Sequence, residues 1–178
     1  MNKKYNIIYS DPPWKQKKSN KRKVRPKQKK SLDYETLCMT DIQEIHRKFS
    51  NKTELKHNFF MWTIDKFLHE SEQMMEELGY TLHARLVWDK QNGIAPAFTV
   101  RFSHEYLLWF YKKGNILMPC EKMKGKQTTI LREKSTLHSK KPLVAYEMIE
   151  SMFPEGNKIE LFARNYRYNW DVWGNEVE

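Results

Sequence analysis

Apolar residues along this chain follow two periods, and the switches between them mark out its elements. "YNIIY" (5–9) is β-branched and aromatic and stops at Ser-Asp-Pro-Pro, which predicts a short buried strand delivering Asp11 from its carboxyl end. In "CMTDIQEIHRKF" the positions Ile42, Ile45 and Phe49 share one face of a short helix, with Thr40 or Asp41 as its cap. "HNFFMWTI" (57–64) reads as an apolar strand, and "DKFLHESEQMMEELGY" (65–80) as an amphipathic helix. There Phe67, Leu68, Met74, Met75 and Leu78 recur at helical spacing, and Gly79 supplies the stop.

"TLHARLVWDK" alternates as a strand does, "GIAPAFTVRFSHE" reads as a loop, and "EYLLWFYKKGN" is a strand ending at a Gly114-Asn115 turn. "QTTILRE" is a further strand, Pro142 at a first helical position opens "PLVAYEMIESMF", and "KIELFAR" is the last clear strand. Strands separated by helices predict an α/β fold with a mostly parallel sheet and helices on both faces. Some antiparallel pairing is expected near residues 100–132. At 178 residues the chain has the length of one domain, so a single unit over 1–178 is expected.

Composition changes this picture in one place. The formal net charge is +10, and ten of the 32 Lys+Arg lie between Lys15 and Lys30 with no acid among them. Removing those ten leaves 22 basic residues against 22 Asp+Glu, so the whole excess sits on one segment. That segment, 15–31, has no hydrophobic period and is predicted to be a flexible loop. Cys38 and Cys120 lack zinc or disulfide spacing and the six histidines are scattered, so no metal is expected. No apolar run approaches the roughly 20 residues that cross a bilayer, and no leader pattern opens the chain; a cytoplasmic protein without membrane contact is expected.

The chemistry begins where the first strand ends. In an open α/β sheet, ligands bind beyond the carboxyl ends of strands. Asp11 offers acceptor oxygens, Pro12 a carbonyl whose direction the ring restrains, and Trp14 a π-face. An exocyclic amine on a nucleobase suits this set. Its lone pair is delocalised into the ring until both hydrogens are held by acceptors and the nitrogen pyramidalises. Asp11 and the Pro12 carbonyl would hold those hydrogens and aim the lone pair at a methyl group. Trp14, with Tyr34 beyond the basic segment, would stack on a base taken out of its helix. Lys17, Lys18, Lys21, Arg22, Lys23 and Arg25 would meet the phosphates of the same strand.

"DPPW" after an apolar strand resembles the signature of amino-methyltransferases. Its tryptophan form is similar to the adenine-N6 methyltransferases related to the catalytic subunit of the eukaryotic mRNA adenosine methyltransferase, with bacterial and phage members. "LDYETLCMTD", "FFMWTI", "LGYTLHARLVWDK", "RFSHEYLLWFYKKG", "LHSKKP" and "KIELFARNYRYNWDVWGNE" extend the resemblance in order over nearly the whole chain. It implies a Rossmann-like fold, S-adenosyl-L-methionine as methyl donor, and a nucleic-acid partner.

By that resemblance Asp11, Pro12, Pro13 and Trp14 are the catalytic motif and Lys141 reaches the donor carboxylate; Lys140 is read as an ordinary solvated surface lysine. Phe162, Arg164 and Asn165, together with Asn175 and Glu176 of "WGNE", join Asp11 in holding the donor. His104 and Glu105 fall near the acceptor pocket. Trp62 is carried as a substrate contact, although an apolar strand more often spends a tryptophan on the core. DNA is the expected substrate, with RNA, or a non-catalytic nucleic-acid-binding subunit of the same fold, as alternatives. With little chain beyond the catalytic motifs, target recognition is expected to be short or shared in a homodimer.

Overall fold

A computed structural model describes residues 3–15, 36–93, 99–136 and 140–174. Its strands are β1 (Tyr5–Ser10), β2 (Thr53–Thr63), β3 (Thr81–Asp89), β4 (His104–Tyr111), β5 (Ile130–Arg132), β6 (Lys158–Leu161) and β7 (Trp170–Trp173). The helices are α1 (Met39–Ser50), α2 (Leu68–Glu77) and α3 (Leu143–Met152). One seven-stranded sheet runs in the order β5-β3-β4-β2-β1-β6-β7. The pairs β1–β2, β1–β6, β3–β5 and β6–β7 are parallel, and only those made by β4 are antiparallel.

The central strands are continuous apolar runs because both of their faces are covered. Ile7, Ile8, Phe59, Phe60, Leu107 and Leu108 are all fully buried. Ile7 and Tyr9 of β1 and Leu107 and Trp109 of β4 pack with Ala145, Met148 and Ile149 of α3, while Ile8, Leu108 and Phe110 join Ile42 and Phe49 of α1 and Met74 and Met75 of α2. Two apolar layers result, one on each side of the sheet. Because β3 also runs in the direction of β1, the carboxyl ends of β1, β3, β5 and β6 and the start of β4 all meet at one edge.

Five expectations are corrected. The cap of α1 is Cys38, with Asp41 three residues on accepting the Cys38 backbone N–H at 3.4 Å. Pro142 precedes α3 rather than opening it. The strand β5 keeps only three residues and lies parallel to β3. A seventh strand, β7, follows β6 without a helix between them; the chain reverses through Phe162 and Asn169, whose φ values are 61° and 62°. The start of β2 also reaches back to Thr53, through polar residues that carry no apolar signal.

Candidate active site

The chain keeps its sheet geometry one residue past β1: the Asp11 N–H donates to Leu161 O of β6 at 3.4 Å. Two prolines then stop the ladder, since neither has an N–H to give. The Trp14 N–H donates back to Pro12 O at 2.9 Å, a three-residue turn that fixes the direction of this carbonyl and leaves its second lone pair for another donor. The Leu37 N–H donates to Pro13 O at 3.0 Å, and Trp14 and Leu37 form a parallel bridge. Both ends of the segment between them are thereby fixed beside Asp11. Residues 16–35 lie outside the described residues, and with them Tyr34, Lys17, Lys18, Lys21, Arg22, Lys23 and Arg25.

Three other elements close on Asp11 at the shared edge. Lys141, just before α3, places its ammonium 3.1 Å from Asp11 Oδ1 and 2.8 Å from Glu105 Oε2, and lies over the ring of Trp62. Glu105, the second residue of β4, also receives Lys90 at 2.5 Å. Asp11, Lys141, Glu105 and Lys90 form an alternating chain of two anions and two cations, each with under a fifth of its side chain exposed. Burial raises the Asp11 carboxyl above its ordinary range, against the pull of the Lys141 ammonium. For Glu105 burial pushes upward too, but Lys141 and Lys90 outweigh it and the pKa falls. Burial alone would lower Lys141; Asp11 and Glu105 reverse that and hold it charged.

The position of Lys141 depends on a residue that the sequence reading passed over. Glu133, just past β5, accepts the backbone N–H groups of Leu143 and Val144 at 2.9 and 2.8 Å, satisfying two of the free donors of α3. This carboxylate ties the sheet to the first turn of the helix, two residues from Lys141.

A second missed residue is Glu160, in register with Tyr9 on β6 and accepting the Tyr146 hydroxyl at 2.8 Å. Burial, reinforced by the charge of Asp11, lifts its carboxyl to about 7. Its signal was present in "KIELF": a lone acid inside an apolar strand needs a partner or a purpose. On the opposite face, Ser10 is hydrogen-bonded to His46 Nε2 at 2.8 Å; burial drives His46 to about 3, so its ring is neutral.

Several expected contacts are redistributed. Trp62 is fully buried, its indole N–H donates to the Tyr9 hydroxyl, and its ring forms the floor beneath Lys141. His104 and Glu105 are adjacent on a strand and therefore point to opposite faces. The His104 ring meets the Tyr106 hydroxyl at 3.0 Å, away from Lys141. Trp14 is 8% exposed and stacked on Phe67, with centroids 5.4 Å apart, so one π-face is already occupied. Phe162 is half-buried against Trp173. Arg164 and exposed Asn165 follow the carboxyl end of β6, and the Arg164 charge helps to lower Asp11. Asn175 and Glu176 lie outside the described residues, directly after Gly174. At Gly174 any Cβ would come 2.5 Å from Ala163 O, so only glycine lets the end of β7 lie against the end of β6.

Residues 5–176 match the MT-A70 family model. The chain belongs to the MT-A70 family. It is similar to the Type II methyltransferase M.MunI of Mycoplasma sp, with 31% identity over 98% of this chain and 78% of that protein. The human N(6)-adenine-specific methyltransferase METTL4 is 50% identical over 42 residues, which cover 24% of this chain and 9% of that protein. The N(6)-adenosine-methyltransferase subunit METTL3 of Danio rerio is 24% identical over 98% of this chain but 28% of its own length. As an MT-A70 protein the chain is a methyltransferase, and its mixed, mostly parallel sheet is the expected Rossmann-like α/β fold. No helix among the described residues is long and apolar enough to cross a membrane.

Proposed function

We propose that this single-domain MT-A70 chain, acting in the cytoplasm, transfers a methyl group from S-adenosyl-L-methionine to the N6 amine of adenine in DNA. The observation that carries the reading is a buried carboxylate, Asp11, next to a direction-fixed Pro12 carbonyl at a strand carboxyl end, with the Lys141 ammonium beside it. The donor's sulfonium supplies an electrophilic methyl group. The side chains fit the donor's polar ends: Lys141 suits its carboxylate, Arg164 and Asn165 its hydroxyls, and Phe162 lies between them in the chain. Asn175 and Glu176 join them on the family resemblance.

The amine donates one hydrogen to ionised Asp11 and the other to the Pro12 carbonyl. Its lone pair then leaves the ring plane and faces the methyl group. Transfer would form the N–CH3 bond as the donor's S–CH3 bond broke and left a neutral thioether; the nitrogen would then hold one proton too many, and Asp11, raised by burial, is the acceptor in reach. Lys141 would hold the donor's carboxylate, which would free an Asp11 oxygen for the amine. Glu105 stays on Lys141 throughout and acts as a positioning residue. Trp14 borders the pocket, and the cations of 15–30 hold the phosphates. Recognition of a short target, or its sharing in a homodimer, completes the reading.

DNA is favoured by the single-domain length of the chain, and an adenine N6 target by its likeness to METTL4, whose name gives N(6)-adenine specificity. The test is transfer of labelled methyl to duplex DNA, single-stranded DNA and RNA, followed by nucleoside analysis. N6-methyldeoxyadenosine is expected. N6-methyladenosine from RNA alone would change the substrate, and no product from any of the three would overturn the reading.

A further inference from the structure

Two large apolar side chains stand in solvent at the edge that carries Asp11. Val100 is 69% and Phe102 is 64% exposed, in the connection between β3 and β4. Their backbone is not loose. Arg101, between them, donates to Asn92 O and Gly93 O at 3.1 and 3.0 Å and ties the two arms of the connection together. Below it, the Lys90 N–H donates to Ser103 O at 3.0 Å, continuing the Asp89–His104 pairing of the strands. The tip is therefore built on a fixed base, with the guanidinium used as a brace and the apolar side chains left outside.

Phe102 precedes Glu105 by three residues, which limits the separation of their Cα atoms to about 11 Å. Glu105 in turn shares Lys141 with Asp11. An exposed aromatic ring at the same sheet edge as the proposed amine acceptor has an evident use if the acceptor base must leave a stack. Resting on the adenine-methylation reading above, we infer that Phe102, with Val100 beside it, is the wedge that enters a nucleic-acid duplex as the target adenine swings out. An apolar side chain inserted at a base step replaces part of the stacking lost there.

A second copy of the chain is the competing occupant. A stable protein interface buries about 800 Å² on each partner, far more than two side chains supply. The chain's charge excess, concentrated on the segment rooted at Trp14 and Leu37 of this same edge, points to a phosphate-bearing partner.

The experiment compares the full chain with Phe102→Ala and Phe102→Trp. Each is offered the nucleic acid that the unsubstituted chain methylates, as duplex and as separated strands, with sedimentation of each protein in parallel. Expected is a fall of tenfold or more in kcat/KM for Phe102→Ala on duplex, a change under twofold on single strands, and recovery in Phe102→Trp. Equal losses on both forms, no loss on either, or a substrate methylated only as single strands would overturn the wedge. A dimer that Phe102→Ala dissociates, with equal losses on both substrates, would assign the tip to the protein interface instead. If the unsubstituted chain makes no N6-methyladenine on any substrate, the functional reading itself falls, and the wedge with it.

Discussion

Lys141 and Asp11 meet at 3.1 Å, although one precedes the third helix and the other follows the first strand. This contact joins the two halves of the proposed chemistry, the cation for the donor's carboxylate and the anion for the acceptor's amine. Glu105 completes it from a third element.

Replacing Asp11 with alanine removes the acceptor for the amine hydrogen and leaves Lys141 paired to Glu105. Methyl transfer is expected to fall by at least about 10²–10³-fold, while donor binding weakens only partly. Single-turnover transfer and calorimetry with the donor separate the two; undiminished transfer would end the proposed mechanism.

Glu105→Gln leaves Lys90 without its carboxylate and Lys141 with Asp11 alone. Removing one side of a part-buried charged hydrogen bond costs roughly 2 kcal/mol. Urea unfolding should show a loss of that order, and part of it should return when Lys90 is also made methionine. An additive double variant would mean that the Lys90–Glu105 contact carries no coupling.

Glu160 gives a pH dependence of definite sign. Its folded pKa of about 7 lies above the ordinary 4.5, so between those values the folded chain keeps a proton that the unfolded chain has lost. Its contribution therefore declines as pH rises through that window. Glu160→Gln keeps an acceptor for the Tyr146 hydroxyl and should stabilise the protein on the order of 2 kcal/mol at pH 8, with little effect near pH 4. Thermal unfolding across pH measures it, and a gain of equal size at both ends would count against the assignment.

The basic segment predicts a salt dependence. If six of its ten cations meet phosphate on B-DNA, log K falls with log[salt] with a slope of about −5. Changing Lys17, Lys18, Lys21, Arg22, Lys23 and Arg25 to glutamine should bring the slope near zero in fluorescence anisotropy titrations. An unchanged slope would place the phosphate contacts elsewhere.

Glu133→Ala removes the carboxylate that caps α3. The expected cost is about 1 kcal/mol of stability, accompanied by weaker donor binding through Lys141. Full donor affinity in a destabilised variant would limit Glu133 to a purely local role.

What could be read in advance depended on how locally each feature is determined. The strand that delivers Asp11 and the helix stopped at Gly79 follow from side chains within a few residues of one another. Strand β7 did not show, because four residues beside a polar turn carry no period of their own; it forms by pairing with β6. The burial of Trp62 came only when β2 received cover on both faces. His104 and Glu105 looked like one unit, yet strand geometry sends them to opposite sides of the sheet.

By itself the sequence determined the α/β pattern, the Asp-Pro-Pro-Trp motif at a strand end, and the single block of positive charge, since each is written in neighbouring residues. Only the tertiary structure decided which charges face one another. The chain Asp11–Lys141–Glu105–Lys90, the Glu133 cap on α3 and the raised Glu160 bring together residues far apart in the chain. Their interactions depend on distance and burial, and both arise only when the sheet and helices close around them.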